Sequence, residues 1–184
     1  MKRTIVRLAC AGALLALTYQ LVVAQQSPAT EEHKGLATEV GEWDAEITLW
    51  YTPDAEPVKS KGMETNRMLG GVWLISDFEG EAAGEKFQGH MQLGYDPQKK
   101  KYVGTWIDTM SPYLQTMEGD YDKATHTSTM LSKGVDIQTG KPSTSKNITR
   151  YEGEDAKTFE MHMPLEGQEG KWWKMMEIKY KRRK

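Results

Sequence analysis

The chain has 184 residues, 38% hydrophobic and 27% charged, with a formal net charge of −2 and one cysteine. A lone cysteine excludes a disulfide-stapled framework, and the acidic balance argues against nucleic acid, whose phosphate backbone rewards basic surfaces.

The first segment reads as a targeting sequence. Lys2, Arg3 and Arg7 form a positive start, an apolar run covers Leu8 to Val23, and Val22-Val23-Ala24 offers a signal-peptidase site. Thr18, Tyr19 and Gln20 break the run, leaving it short of a comfortable membrane span. Cleavage is expected after Ala24, which exports the protein to the periplasm or the medium. Removing 24 of 184 residues leaves 160, enough for one domain and too few for two of ordinary size. The leader carries Cys10 and three basic residues with no acid, so the net charge moves from −2 to −5. An exported chain without disulfides is held by its core alone.

Residues 25–40 form a leader and a short helix. One or two helical turns are expected over Glu31–Val40, with Thr30 as cap and Leu36 and Val40 on one face, suited to plug the end of a barrel. Residues 41–184 then form a single domain of about ten short segments. Side chains on a strand alternate between faces, so each segment buries one face and wets the other.

Strand one, about Glu42 to Tyr51, sets Trp43, Ala45, Ile47, Leu49 and Tyr51 against Glu42, Asp44, Glu46 and Thr48. Pro53 and Pro57 mark the next loop. Gly70-Gly71 suits a two-residue hairpin that pairs Leu69 with Val72, Arg67 with Leu74, Thr65 with Ser76 and Met63 with Phe78. That register gathers one apolar face, interrupted by Arg67 and the hydroxyl pair. It also opposes Glu64 to Asp77, an unfavourable like-charge pair.

Phe87, Gly89, Met91, Leu93 and Tyr95 form the next apolar face, and Asp96-Pro97 opens a turn. Lys101 to Met110 is bulky on both faces, so alternation does not orient it. Pro112 precedes strand six, Tyr113 to Tyr121, and a Ser/Thr-rich strand covers Thr125 to Lys133. Strands follow at Ser145–Tyr151, Thr158–Met163 and Lys171–Lys181, the last with Trp172, Met176, Ile178 and Tyr180 on one side. The expected fold is all-β: an antiparallel up-and-down barrel of about ten strands, which removes exposed sheet edges, with the short helix at one end.

Three blocks carry a resemblance: Lys59 to Gly71, Leu93-Gly94-Tyr95-Asp96-Pro97 through Thr105-Trp106-Ile107-Asp108, and Met176 to Tyr180. With the linking strands they are similar, over most of Val40 to Arg182, to a bacterial calycin-like family catalogued only as a domain of unknown function. Gly41-Glu42-Trp43 also resembles the lipocalin signature, in which the tryptophan closes the barrel floor and a basic residue near the last strand packs on it. The resemblance implies a lipocalin-like barrel and brings no catalytic residues. It makes Trp43 the closure residue and Lys179, Lys181 or Arg182 its partner. Haem-binding nitrobindin-like barrels also begin with a glycine-tryptophan motif, which makes His162 the residue to test as a haem ligand.

A barrel of this width either fills with side chains or holds one small molecule. The candidate ligand wall is Arg67, Tyr51, Met63, Leu74, Phe78, Phe87, Met91, Tyr95, Trp106 and Met176, apolar apart from one guanidinium. Arg67 would anchor an acidic head group or stack on an aromatic ring, and Lys174 is a second candidate anchor. Asp77 and Asp108 are weaker candidates for a base at the mouth. The histidines show no metal-ligand spacing, and nucleophile-elbow and phosphate-loop motifs are missing. The leading expectation is an exported binder of a small, largely apolar molecule such as a lipid or fatty acid, with no catalysis and no cofactor. The alternatives are a haem-dependent enzyme of nitrobindin-like type and a packed envelope interaction module. Five basic residues among the last six offer weak contact with an anionic membrane surface.

Overall fold

The structure is a computed structural model that describes residues 29–82 and 84–184. The expected signal sequence lies outside the described residues. Helix α1 spans Glu31–Ala37, followed by β1 (Gly41–Leu49), β2 (Val58–Leu69), β3 (Trp73–Ala82), β4 (Glu85–Asp96) and β5 (Lys101–Asp108). The remaining strands are β6 (Ser111–Asp122), β7 (Thr127–Val135), β8 (Pro142–Tyr151), β9 (Ala156–Pro164) and β10 (Trp172–Arg182). Every strand pairs antiparallel with its sequence neighbours, and β1 pairs with β10 to close the barrel. Closure leaves no free sheet edge. Ten strands enclose a wider interior than the eight that side chains just fill.

Alternation works as expected on β1, where Trp43 and Ala45 are buried beside Ile178 and Tyr180 of β10. Phe78 completes this cluster, with Ile47, Phe87, Trp106, Phe159 and Met176 packed against it. The unoriented β5 turns Trp106 inward. Its indole stacks on Phe87 at 6.4 Å and occupies the space over Gly89, where a Cβ would lie 2.2 Å from the ring. Pro112 sits inside β6 rather than before it.

Three expectations are corrected. The β2–β3 hairpin has three turn residues, Gly70, Gly71 and Val72, so Leu69 pairs with Trp73 and Glu64 with Phe78. A shift of one residue exchanges the faces of β2. Met63, Arg67 and Leu69 therefore lie on the outer face, and Glu64 and Asn66 are buried inside. Gly62 suits this register, since a Cβ there would be 2.5 Å from Cζ of the inward Phe78 ring. Tyr51 lies beyond the end of β1 and is 58% exposed. A β-bulge between Lys174 and Met176 reverses parity within β10, which places Trp172 opposite Met176 in facing and aligns Trp173 with the inward Met163.

The helix is held by its cap. The Thr30 N–H donates to His33 Nδ1 at 3.0 Å, so histidine occupies the place usually taken by glutamate three residues into the helix. The His33 ring then meets Tyr95 edge-on at 6.0 Å, which seats α1 against β3 and β4. The helix thus covers only part of its end of the barrel.

Candidate functional site

Two features meet at the end of the barrel that α1 covers: a buried ionic floor and an open cavity. The floor is built around Lys157 on β9. Its Nζ lies 2.5 Å from Glu39 Oε2 and 2.9 Å from Glu64 Oε1, and all three side chains are buried. Asn66 Nδ2 donates to Glu64 at 2.8 Å. Burial works against the Lys157 charge, but the carboxylates of Glu64 and Glu39 outweigh it and hold the ammonium above its ordinary value. The same ammonium stands 4.5 Å from the Trp43 ring centre and 4.8 Å from that of Tyr180.

Trp43 is 1% exposed and donates from Nε1 to the Glu39 carbonyl at 2.9 Å. Of the three basic residues considered as its partner, Arg182 is the one that packs on it, with its guanidinium carbon 4.1 Å from the ring centre. Arg182 also donates to the carbonyls of Thr38 at 2.7 Å, Val40 at 2.6 Å and Glu154 at 3.0 Å. It therefore ties the chain leaving α1 to the β8–β9 turn, where a cation also suits the helix C-terminus.

The cavity measures about 810 Å³ and opens between α1 and the β5–β9 side of the rim. Leu36, Thr38 and Glu39 form its roof, and Leu93, Tyr102, Tyr121, Ser128 and Tyr151 form its wall. His126 and the β8–β9 turn residues Gly153, Glu154 and Asp155 edge it with Arg182. The Tyr121 and Tyr151 rings are 5.8 Å apart and inclined at 72°, so they make a corner. The Tyr121 hydroxyl lies 3.2 Å from His126 Nδ1. Burial first, and then the Glu32 carboxylate, push Tyr102 up to about 12. Burial, Glu39 and Asp122 raise Tyr121, and burial, Glu39 and Glu64 raise Tyr151 well above the ordinary phenol value. All three are neutral phenols at physiological pH.

The proposed ligand wall divides into three groups, and none of it lines this cavity. Leu74, Phe78, Phe87, Trp106 and Met176 sit in the packed interior. Met91 faces inward between Ser76 and Trp106, and Tyr95 packs under His33 and against Tyr102. Arg67, Met63 and Tyr51 are outside it, as described above. Lys174 also fails as an interior anchor. It lies on the outer face, 5.4 Å from the Trp50 ring and bonded to Glu177 and Glu160.

His162 shares that outer network, 3.1 Å from Glu160, which also binds Arg150 at 2.9 Å. A histidine so placed cannot ligate a haem inside the barrel. Asp77 pairs with His90 on the outside, and Asp108 accepts from the Trp106 indole at 2.8 Å, so both acids have structural partners. Among the described residues no group of three His, Cys, Asp or Glu could hold a metal ion. The basic tail also has partners: Arg183 binds Asp44 at 2.7 Å, and Lys179 and Lys181 face Glu46 and Asp44 across β1.

The cavity residues had a faint signal in the sequence. Tyr102, Tyr121 and Tyr151 each stand at or next to a strand end, all on the α1 side of the barrel. Tyrosine recurring at rim positions marks a mouth that is apolar in body and polar at its tip.

The family described as a protein of unknown function (DUF1579) matches residues 28–182. No curated protein matches the chain. Among solved structures, the chain is similar to Rv2717c from M. tuberculosis, with a TM-score of 0.64 and 12% identity over 85% of this chain and 100% of that one. At that identity the likeness concerns the barrel fold alone.

Proposed function

The chain belongs to the DUF1579 family, whose function is unknown, and we propose that this member is a binding protein that holds a small, largely apolar molecule beneath α1. The supporting observation is the cavity itself. At about 810 Å³ it falls within the range of small-molecule sites, with an apolar body and a few convergent polar groups. It exists because the two sides of the interior are built differently. Trp43, Phe78, Ile178 and Tyr180 fill one side, whereas Ser128 and the β8–β9 turn with Gly153 line the other. Short side chains there leave volume that the helix roofs without filling.

Binding would be driven by removing apolar surface from water, and each buried methylene is worth about 0.8 kcal/mol. Affinity across a homologous series of alkanols should therefore rise about fourfold per carbon until the cavity is full. A series with no dependence on chain length would count against the reading. The proposal includes export after cleavage at Ala24, so the ligand would be met outside the cytoplasm; the N-terminal residue of the protein recovered from its own host tests that part.

A further inference from the structure

We propose that the cavity selects an organic cation, an alkylated ammonium on an apolar body, over a carboxylate such as a fatty acid; this rests on reading the cavity as a small-molecule site. The charge of the lining favours a cation. Glu39, Glu154 and Asp155 line the cavity against Arg182, which lies 3.4 Å from Asp155, and His126, whose ring meets the Tyr121 hydroxyl. That guanidinium is already committed to three backbone carbonyls and the Trp43 ring. Behind the wall, Lys157 is shared between two carboxylates, which leaves the buried trio with one more negative charge than positive. An incoming carboxylate would find no uncommitted guanidinium or ammonium among the lining residues and would be desolvated beside Glu39. Burying an unpaired charge against a like charge is heavily unfavourable.

The shape of the wall favours a cation independently of net charge. Tyr121 and Tyr151 form a corner at 72°, with Tyr102 on the same wall. Aromatic faces meeting at such angles attract a diffuse cation through the ring quadrupoles, the means by which quaternary ammonium groups are recognised. The neighbouring floor already uses this chemistry, with Lys157 over Trp43 and Tyr180. Carboxylates contribute to the raised values of all three lining tyrosines, which is a sign of negative potential across the wall.

The test compares three probes of equal chain length below their aggregation concentrations: decyltrimethylammonium, decanol and decanoate, titrated calorimetrically into the full mature protein. The expected order is cation, then alcohol, then carboxylate, with the cation about tenfold tighter than the alcohol. Tyr121→Leu and Tyr102→Leu should reduce that preference to within about threefold while decanol affinity stays near its starting value. Such loss separates the cavity from general attraction between a cation and an acidic protein. Equal binding of cation and alcohol would overturn the inference and leave the apolar site standing, as would tightest binding by decanoate. A preference untouched by both tyrosine variants would also overturn it. Absence of binding by all three probes would remove the small-molecule reading itself.

Discussion

Replacing Lys157 by Met should destabilise the barrel severely, because it leaves two carboxylates facing each other without a counter-charge. The ammonium lies 2.5 and 2.9 Å from Glu39 and Glu64, with side-chain exposures of 8%, 7% and 12% for Lys157, Glu39 and Glu64. At an effective dielectric of about 20, Coulomb's law gives roughly 6 kcal/mol for each contact before desolvation is counted. Desolvation of the lysine is recovered in the variant, so the net loss expected is about 3–5 kcal/mol. That is a large part of the stability of a single domain, roughly 5–15 kcal/mol. Urea denaturation followed by tryptophan fluorescence measures it. Glu64→Gln in the Lys157→Met background removes one of the opposed charges and should recover a substantial part of the loss. Glu64→Gln alone should cost far less, because Lys157 keeps Glu39 and the amide can still meet Asn66. A Lys157→Met loss below about 1 kcal/mol, the range of exposed ion pairs, would refute the buried-trio reasoning.

Four further outcomes follow from the same geometry. Lys157 is held above its ordinary value, so its contribution is complete below about pH 10.5 and falls as pH rises through the folded value; denaturation midpoints in alkali measure it. Burial raises Glu160, but hydrogen bonds from Arg150, His162 and Lys174 outweigh it and bring the carboxyl down to about 2. Its contribution, about 1 kcal/mol at this partly solvated site, is present above about pH 4.5 and lost as pH falls towards 2; Glu160→Gln should flatten that acid limb. Gly89→Ala should force Trp106 from its place over the strand and cost about 1–3 kcal/mol, with a changed near-ultraviolet spectrum. Arg67→Ala should change stability by less than about 0.5 kcal/mol and leave alkanol affinity unaltered, since the side chain is on the outer face.

The architecture was legible because most strands bury one face. On β1, Trp43, Ala45 and Ile47 against Asp44 and Glu46 fix strand, face and parity at once. The β2–β3 pair was less legible because its inner face is polar: Glu64 and Asn66 belong to the ionic floor, and Met63 and Leu69 are outside. Apolar pattern therefore favoured the wrong register. The expected opposition of Glu64 and Asp77 was the one local sign of the slip, and the observed pairing sets Glu64 against Phe78 instead. The bulge in β10 defeats alternation for a different reason, since a single extra residue leaves Trp172 and Met176 on opposite faces.

The cavity was hidden in the sequence because it is made by small residues and by strand ends. Ser128 and Gly153 carry no hydrophobic signal, and Tyr102 lies on a strand that is bulky on both faces. Tyr121 and Tyr151 meet only when the β6–β7 and β8–β9 hairpins share one rim. The partner of Trp43 likewise needed coordinates, because Lys179, Lys181 and Arg182 are equivalent as charges. Only Arg182 has the planar group, beside the carbonyls of Thr38 and Val40, that can both stack and donate.

What separates a container from a packed barrel is occupancy of the space beneath α1. Titration of decanol into protein labelled at tyrosine and leucine, followed by NMR, reads it. Resonances of Tyr102, Tyr121, Tyr151, Leu36 and Leu93 should move together and saturate, while Tyr51, Leu69 and Leu114 on the exterior stay still. Saturable shifts confined to the exterior set, with the cavity residues unchanged, would contradict it.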